Sequence, residues 1–287
     1  MATIIERREQ FRQLHESGCF VLPNPWDIGS AKYLESLGFK ALATTSAGFA
    51  FSRGLPDGAV GRDLMLGHVR EMVEATDLPV NADFENAYAD DPNTAAENVR
   101  LCVEAGVAGV SIEDNSGRKD KPLYEIEHAA DRIRAAHEAI HGSGVVLVGR
   151  AECFLVGVDD IDEVIRRLVA YAEAGADCLY APGMCERDQI AAIVAAVAPK
   201  PVNLLISASG GLTIRDAEEL GVRRVSVGGA LARAAWGGFI RAAKALAERG
   251  VFDGFADAAP HGDLQAFFSS EKILGANPGN LGFHSPS

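Results

Sequence analysis

The chain has 287 residues, 48% of them hydrophobic, with 27 basic against 40 acidic side chains and a net charge of −13. That length and apolar content can build one or two full cores, which excludes disorder and a staple-dependent miniprotein. So acidic a surface argues against nucleic acid and membrane as partners, and no run approaches the roughly 18 apolar residues of a membrane span.

The N-terminal stretch Met1–Glu9 lacks the apolar core of a signal peptide. Strands are predicted in chain order at Cys19–Leu22, Lys40–Thr45, Pro79–Asp83, Ala108–Glu113, Val145–Arg150, Asp177–Tyr180, Pro201–Ile206 and Arg223–Val227. Four of them follow an amphipathic helix that stops at a glycine: Gly38, Gly106, Gly175 and Gly221. Each glycine is read as a left-handed helix cap. The strands recur about every 29 residues, the length of a βα unit, and eight such units suit a closed (β/α)8 TIM-type barrel better than an open sheet. No Gly-x-Gly-x-x-Gly fingerprint supports the open alternative.

We read residues 1–250 as the barrel domain and 251–287 as a C-terminal extension with helical character and oligomer contacts. Within the extension, Val251–Phe255 and Asp263–Leu274 hold four of the chain's 13 phenylalanines, while Gly275–Ser287 is expected to fray. Five cysteines, an odd number without a Cys-x-x-Cys pair, fit reduced thiols in the cytoplasm.

Barrel enzymes place their chemistry at the carboxyl ends of strands. In Pro79–Glu85, period-two alternation sets Val80, Ala82 and Phe84 on the outer face and Asn81, Asp83 and Glu85 on the axis. The next strand points Ser111 and Glu113 inward, followed by Asp114, and the fifth ends in Arg150 with Glu152 two residues on. Acids crowded in a partly dry site repel each other. A hard divalent cation relieves that, and oxygen-only ligands point to Mg²⁺, or Mn²⁺, over zinc. Salt bridges to Arg150 are the competing account of the same acids.

These residues carry a resemblance. Asn24–Ala31, Ala43–Gly48, Pro56-Asp57-Gly58, the Asp83-x-Glu85 step, Ile112-Glu113-Asp114 and Gly149-Arg150 together resemble the isocitrate lyase/phosphoenolpyruvate mutase superfamily, over roughly residues 8 to 240. The resemblance implies an Mg²⁺-dependent lyase of a small 2-oxo or 2-hydroxy carboxylic acid, breaking a C–C bond beside the oxo carbon through an enolate-like state. It places the substrate carboxylate on Ser46, Ala47 and Gly48, and Asp57 beside the oxo group. Asp83 becomes the direct metal ligand, Glu85 and Glu113 reach the metal through water, and Arg150 faces the substrate. Glu85 stands where many members have Asp, a methylene longer. The resemblance further implies a homotetramer in which the last barrel helix swaps between subunits.

The members that cleave isocitrate or methylisocitrate carry a catalytic cysteine in the loop after strand four. Asn115–Pro122 has none, so those reactions are expected to be weak or absent. Phosphonopyruvate hydrolase or phosphoenolpyruvate mutase chemistry is the alternative within the superfamily. A metal-free sugar-phosphate isomerase using Ser207–Gly211 and Gly228-Gly229, and a non-catalytic carboxylate-binding barrel, are the alternatives outside that chemistry. His137-Glu138-Ala139-Ile140-His141 matches a zinc-protease pattern, but Gly142 ends its helix at the amino face of the barrel, opposite the chemistry.

Overall fold

The computed structural model describes residues 2–209 and 211–269. The expected frayed end and the last residues of the Asp263–Leu274 segment lie outside that set. The eight strands are β1 (Phe20–Leu22), β2 (Leu42–Ala43), β3 (Val80–Asp83), β4 (Gly109–Glu113), β5 (Val146–Arg150), β6 (Cys178–Tyr180), β7 (Val202–Leu205) and β8 (Arg224–Ser226). They form one parallel sheet in the order β1-β8-β7-β6-β5-β4-β3-β2. Across the remaining seam, the Ala43 amide donates to Pro23 O at 3.0 Å and the Asn24 side-chain amide to Thr44 O at 2.9 Å. The result is the expected (β/α)8 barrel, nearly closed, and all eight predicted strands are present.

Helices α1 (Ile4–Leu14), α2 (Ile28–Ser36), α3 (Ser46–Ser52), α4 (Arg62–Ala75), α5 (Pro92–Glu104), α6 (Ile126–Ala139), α7 (Ile161–Glu173), α8 (Arg187–Val197), α9 (Ile214–Glu219), α10 (Ala230–Arg249) and α11 (His261–Ser269) complete the described chain. Gly38, Gly106, Gly175 and Gly221 all hold positive φ, as their cap role requires. At Gly175 the close approach is also steric: a Cβ there would lie 2.6 Å from the His137 ring. That contact accounts for His137 as packing on the next helix. Among the described residues no helix is long and apolar enough to cross a membrane.

Helix α1 closes the amino end of the barrel, an element the strand count does not reveal. Arg7, Arg8 and Arg12 donate to carbonyls at that end, including Val73, Val107 and Gly144 at 2.8–2.9 Å, and Phe11 is fully buried. His15 follows, its Nδ1 2.7 Å from Phe11 O and its Nε2 3.4 Å from Arg224 Nη1. A carbonyl on one side and a guanidinium on the other fix the neutral ring with Nδ1 as donor. Burial, reinforced by Arg224, pushes the imidazole down to about 3.

An unfolded histidine takes its proton near pH 6.5, so His15 contributes stability above that pH, and the contribution is lost as pH falls towards 3. His15→Asn should therefore flatten the loss of stability between pH 6.5 and 4, measured by denaturant unfolding, by a few kcal/mol.

Helix α10 differs from the other barrel helices. Of its 20 residues only Ala232 and Ala245 are buried, while Trp236, Phe239 and Ile240 are exposed, Phe239 by 61%. Helix α11 returns over its own barrel instead, with Phe267 stacking edge-on against Tyr33 of α2 at 5.3 Å.

Candidate active site

The ends of β3, β4 and β5 converge on one guanidinium. Arg150 Nη1 lies 3.2 Å from Asp83 Oδ1 and 3.3 Å from Glu113 Oε2, and Nε binds Glu152 Oε1. The Tyr180 ring lies 5.2 Å from the guanidinium carbon. The salt bridges weighed as the alternative to a metal are thus present, and they are held by inward-facing residues as the alternation predicts. Burial works against the charge on Arg150, but Glu152 and Glu113 hold its proton well above the ordinary range.

Asp83 uses its second oxygen differently. Oδ2 accepts from the Ser46 amide at 3.0 Å and the Ser46 hydroxyl at 2.9 Å. Ser46 reaches it because Thr45 caps α3: Thr45 Oγ1 accepts from the Gly48 amide at 3.2 Å and turns the helix start towards β3. This spends two of the three amides expected to cradle a carboxylate. Ser46 N serves Asp83, Gly48 N serves Thr45, and Ala47 N has no partner among the described residues.

A cavity of about 150 Å³ opens here, walled by Ser46, Ala47, Asp57, Asp83 and Arg150 of the expected set. Gly48, Glu85 and Glu113 stand behind that wall. Glu85 is not where strand alternation puts it, because β3 ends at Asp83 and Glu85 turns left-handed at φ 46°. Its carboxylate accepts from Tyr88 Oη at 3.0 Å. Burial, with Asp83 and Asp57 nearby, pushes Glu85 up to about 7. Burial likewise raises Asp57, with Asp83 adding to it, and lifts Glu113 well above the carboxylate range.

Five carboxylates, Asp57, Asp83, Glu85, Glu113 and Glu152, therefore gather around a single guanidinium. This surplus of oxygen donors, with Asp57, Glu85, Glu113 and Glu152 all pushed above the usual carboxylate range by burial, suits a hard divalent cation. Among the described residues no three His, Cys, Asp or Glu side chains are already drawn into a cage. Mg²⁺ does not require one, since it keeps several waters and binds through one or two carboxylates.

Asp114 has a different task from its neighbour Glu113. It points away from the cavity, is 2% exposed, and accepts from Tyr171 Oη at 2.5 Å, Arg167 Nη1 at 3.0 Å and the Glu152 amide at 2.8 Å. It thereby fixes the turn that carries Glu152 to Arg150.

Asn24 is a further residue given no role from sequence. Its Oδ1 accepts from the amides of Val227 at 2.9 Å and Gly228 at 2.8 Å, tying β8 to the seam. Those two amides are the ones a phosphate cradle at Gly228-Gly229 would need first. Arg224 and Ser226 also line the cavity without having been expected. The inward alternation used on β3 and β4 finds both when it is applied to β8.

The phosphoenolpyruvate phosphomutase family matches residues 11–247. The chain belongs to that family. It lies within the isocitrate lyase/phosphoenolpyruvate mutase superfamily, a group of magnesium-dependent lyases and mutases. The uncharacterized protein Rv1998c of Mycobacterium tuberculosis is 35% identical over 263 residues, covering 89% of this chain and 95% of that one. An oxaloacetate decarboxylase of Pseudomonas entomophila is 31% identical over 241 residues, covering 76% and 77%. A solved structure from Burkholderia cenocepacia, provisionally described as a lyase/mutase, superposes with a TM-score of 0.91 at 48% identity, covering 93% and 98%.

Asp114→Ala in this mutase-family barrel should destabilise it by about 2–4 kcal/mol in denaturant unfolding, because it leaves the Tyr171 hydroxyl and the Glu152 amide without their buried acceptor and Arg167 with Glu163 alone. A loss under 1 kcal/mol would show that Asp114 does not hold the turn.

Proposed function

We propose that the protein is a magnesium-dependent lyase of small 2-oxo or 2-hydroxy carboxylic acids that breaks a C–C bond next to the oxo carbon. The observation that carries the reading is Asp83, held from one side by Ser46 and from the other by Arg150 at the wall of an acid-rich cavity. Asp83 would hold Mg²⁺ directly, with Glu85 and Glu113 reaching it through water. The bound ion would stabilise enolate-like charge on the oxo oxygen. Manganese would satisfy the same donors.

The Ala47 amide would receive the ligand carboxylate, joined by the Ser46 hydroxyl once it turns from Asp83, while Gly48 lets the start of α3 pack closely behind them. A Cβ at Gly48 would lie only 2.6 Å from Thr45 Cγ2. Asp57 would stand beside the oxo group, its carboxyl raised above the usual range by burial and by Asp83. Arg150 would present its positive face to charge that develops during cleavage, the largest kind of catalytic contribution in such sites. The loop Asn115–Pro122 carries no thiol, so it offers no cysteine proton donor of the kind used in isocitrate cleavage.

Asp83→Ala should abolish Mg²⁺-dependent binding of oxalate, an enolate mimic, as read by calorimetry. Its fold should survive, because Arg150 keeps Glu113 and Glu152. Glu85→Gln and Glu113→Gln should weaken the metal on the order of 10–100-fold. Arg150→Ala should leave metal binding largely intact and lower turnover of a 2-oxo acid. Oxalate affinity unchanged in Asp83→Ala would remove this mechanism.

The assembly we propose is a homotetramer in the cytoplasm, with α10 packed on another subunit while α11 stays on its own barrel. The exposed Trp236, Phe239 and Ile240 face supports it, because apolar surface of that extent on one helix needs a cover. Multi-angle light scattering at micromolar concentration should give four chains, and a monomer there would reject the assembly.

A further inference from the structure

The cavity ends below its acidic mouth on a second arginine. Arg224 opens β8, faces inward by alternation with Val225, and is 2% exposed. Among the described residues no carboxylate pairs with it. Its Nε donates to Asn203 Oδ1 at 2.8 Å, and its Nη1 lies 3.4 Å from both His15 Nε2 and Asn81 Oδ1. All three partners are neutral. Nη2 has no protein partner among the described residues, and it is not sealed away from the cavity that Arg224 lines.

An arginine cannot shed its proton as a lysine can, so this charge stays on inside the barrel. A buried cation without a counter-charge is strongly unfavourable, and an anion supplied from the cavity relieves it. Donors for one converge there. Ser226, whose Oγ accepts from Asn203 Nδ2 at 2.9 Å, and Tyr180, hydrogen-bonded to Ser226, line the same space. The mouth is different, because Arg150 there is already bound by three carboxylates. The floor holds the positive charge that is still free.

We propose that Arg224 binds a carboxylate of the ligand, so that the acid taken is a dicarboxylate with one end at Ser46 and Ala47 and the other on Arg224. The proposal rests on the reading of the cavity as a carboxylic-acid site and adds the second anchor. A space of about 150 Å³ has room for a short diacid, of about four carbons.

Two probes with the same 2-hydroxy acid end and the same four carbons separate the ideas: malate carries the second carboxylate and 2-hydroxybutyrate does not. In calorimetry with saturating Mg²⁺, the wild-type protein should bind malate at least 30-fold more tightly. Arg224→Met, which keeps the length and removes the charge, should collapse that preference to under threefold while leaving 2-hydroxybutyrate within threefold. Arg224→Lys should restore part of it. Equal affinity for the two acids in the wild type, a comparison that needs no variant to fold, would overturn the role of Arg224 alone. A preference that persists in Arg224→Met would do the same. Binding of neither acid would overturn the carboxylic-acid reading as well.

Discussion

One guanidinium makes this barrel mouth possible. Asp83, Glu113 and Glu152 come from three neighbouring strand ends and would repel each other at such separations in a half-dry site. Arg150 lies between them and converts the repulsion into attraction that reaches across three strands. Its geometry also leaves room for a second cation. Asp83 gives one oxygen to Arg150 and the other to Ser46. Each carboxylate oxygen has two lone pairs: Oδ2 uses both on the Ser46 amide and hydroxyl, while Oδ1 accepts only from Arg150 and retains one towards a metal. Salt bridge and metal site are therefore compatible uses of the same carboxylate, although from sequence they look like rivals.

Behind this keystone lies a layer that fixes where the acids point. Glu85, Ala87 and Tyr88 all sit at positive φ, a conformation unfavourable by about 1 kcal/mol or more for each non-glycine residue. The turn persists because its carbonyls are satisfied from below. Buried Arg132 donates to Asn86 O, to Ala89 O at 2.8 Å and to Glu113 O at 3.2 Å, and Asn98 donates to Ala87 O at 2.8 Å. Arg132 thus links the turn bearing Glu85 to the strand end bearing Glu113. On the other side, Asp114 with Arg167 and Tyr171 holds the turn bearing Glu152. Acidic side chains at the mouth are positioned by cationic side chains that never reach it.

The strands and their inward faces were legible because period-two alternation and glycine caps are local signals. Asp83 and Glu113 fell where alternation put them. Glu85 did not, because parity holds only while the chain remains a strand and β3 ends two residues earlier. The amide cradle was half legible. Three consecutive amides look free in sequence, but capping by Thr45 and the reach of Asp83 spend two of them. Arg224 was overlooked for a different reason: attention to the carboxyl ends of strands discards a residue at the start of β8, although the cavity descends that far. Helix α1 escaped as well, since its bonds run to carbonyls of residues 66 to 135 positions away, and no window along the chain contains both partners.

The exposed face of α10 bears on the same cavity. The helix starts directly from the cavity wall: Gly229 lines it, and a Cβ placed there would lie 3.7 Å from Ala47 Cβ. One turn on, Ala232 is buried, its Cβ 3.2 Å from where a Cβ on Gly48 would stand. The first turn therefore braces the segment that presents Ser46 and Ala47, while the turns carrying Trp236, Phe239 and Ile240 lie in solvent. A helix buried only at Ala232 in its first turn and at Ala245 near its end holds its direction weakly, because most helix stability in proteins comes from packing an apolar face. Covering the exposed turns would stiffen the helix along its whole length, including the turn against Ala47. The proposed association through α10 and the proposed carboxylate site would therefore be mechanically joined, with the small contacts at Gly48 and Gly229 as the joint.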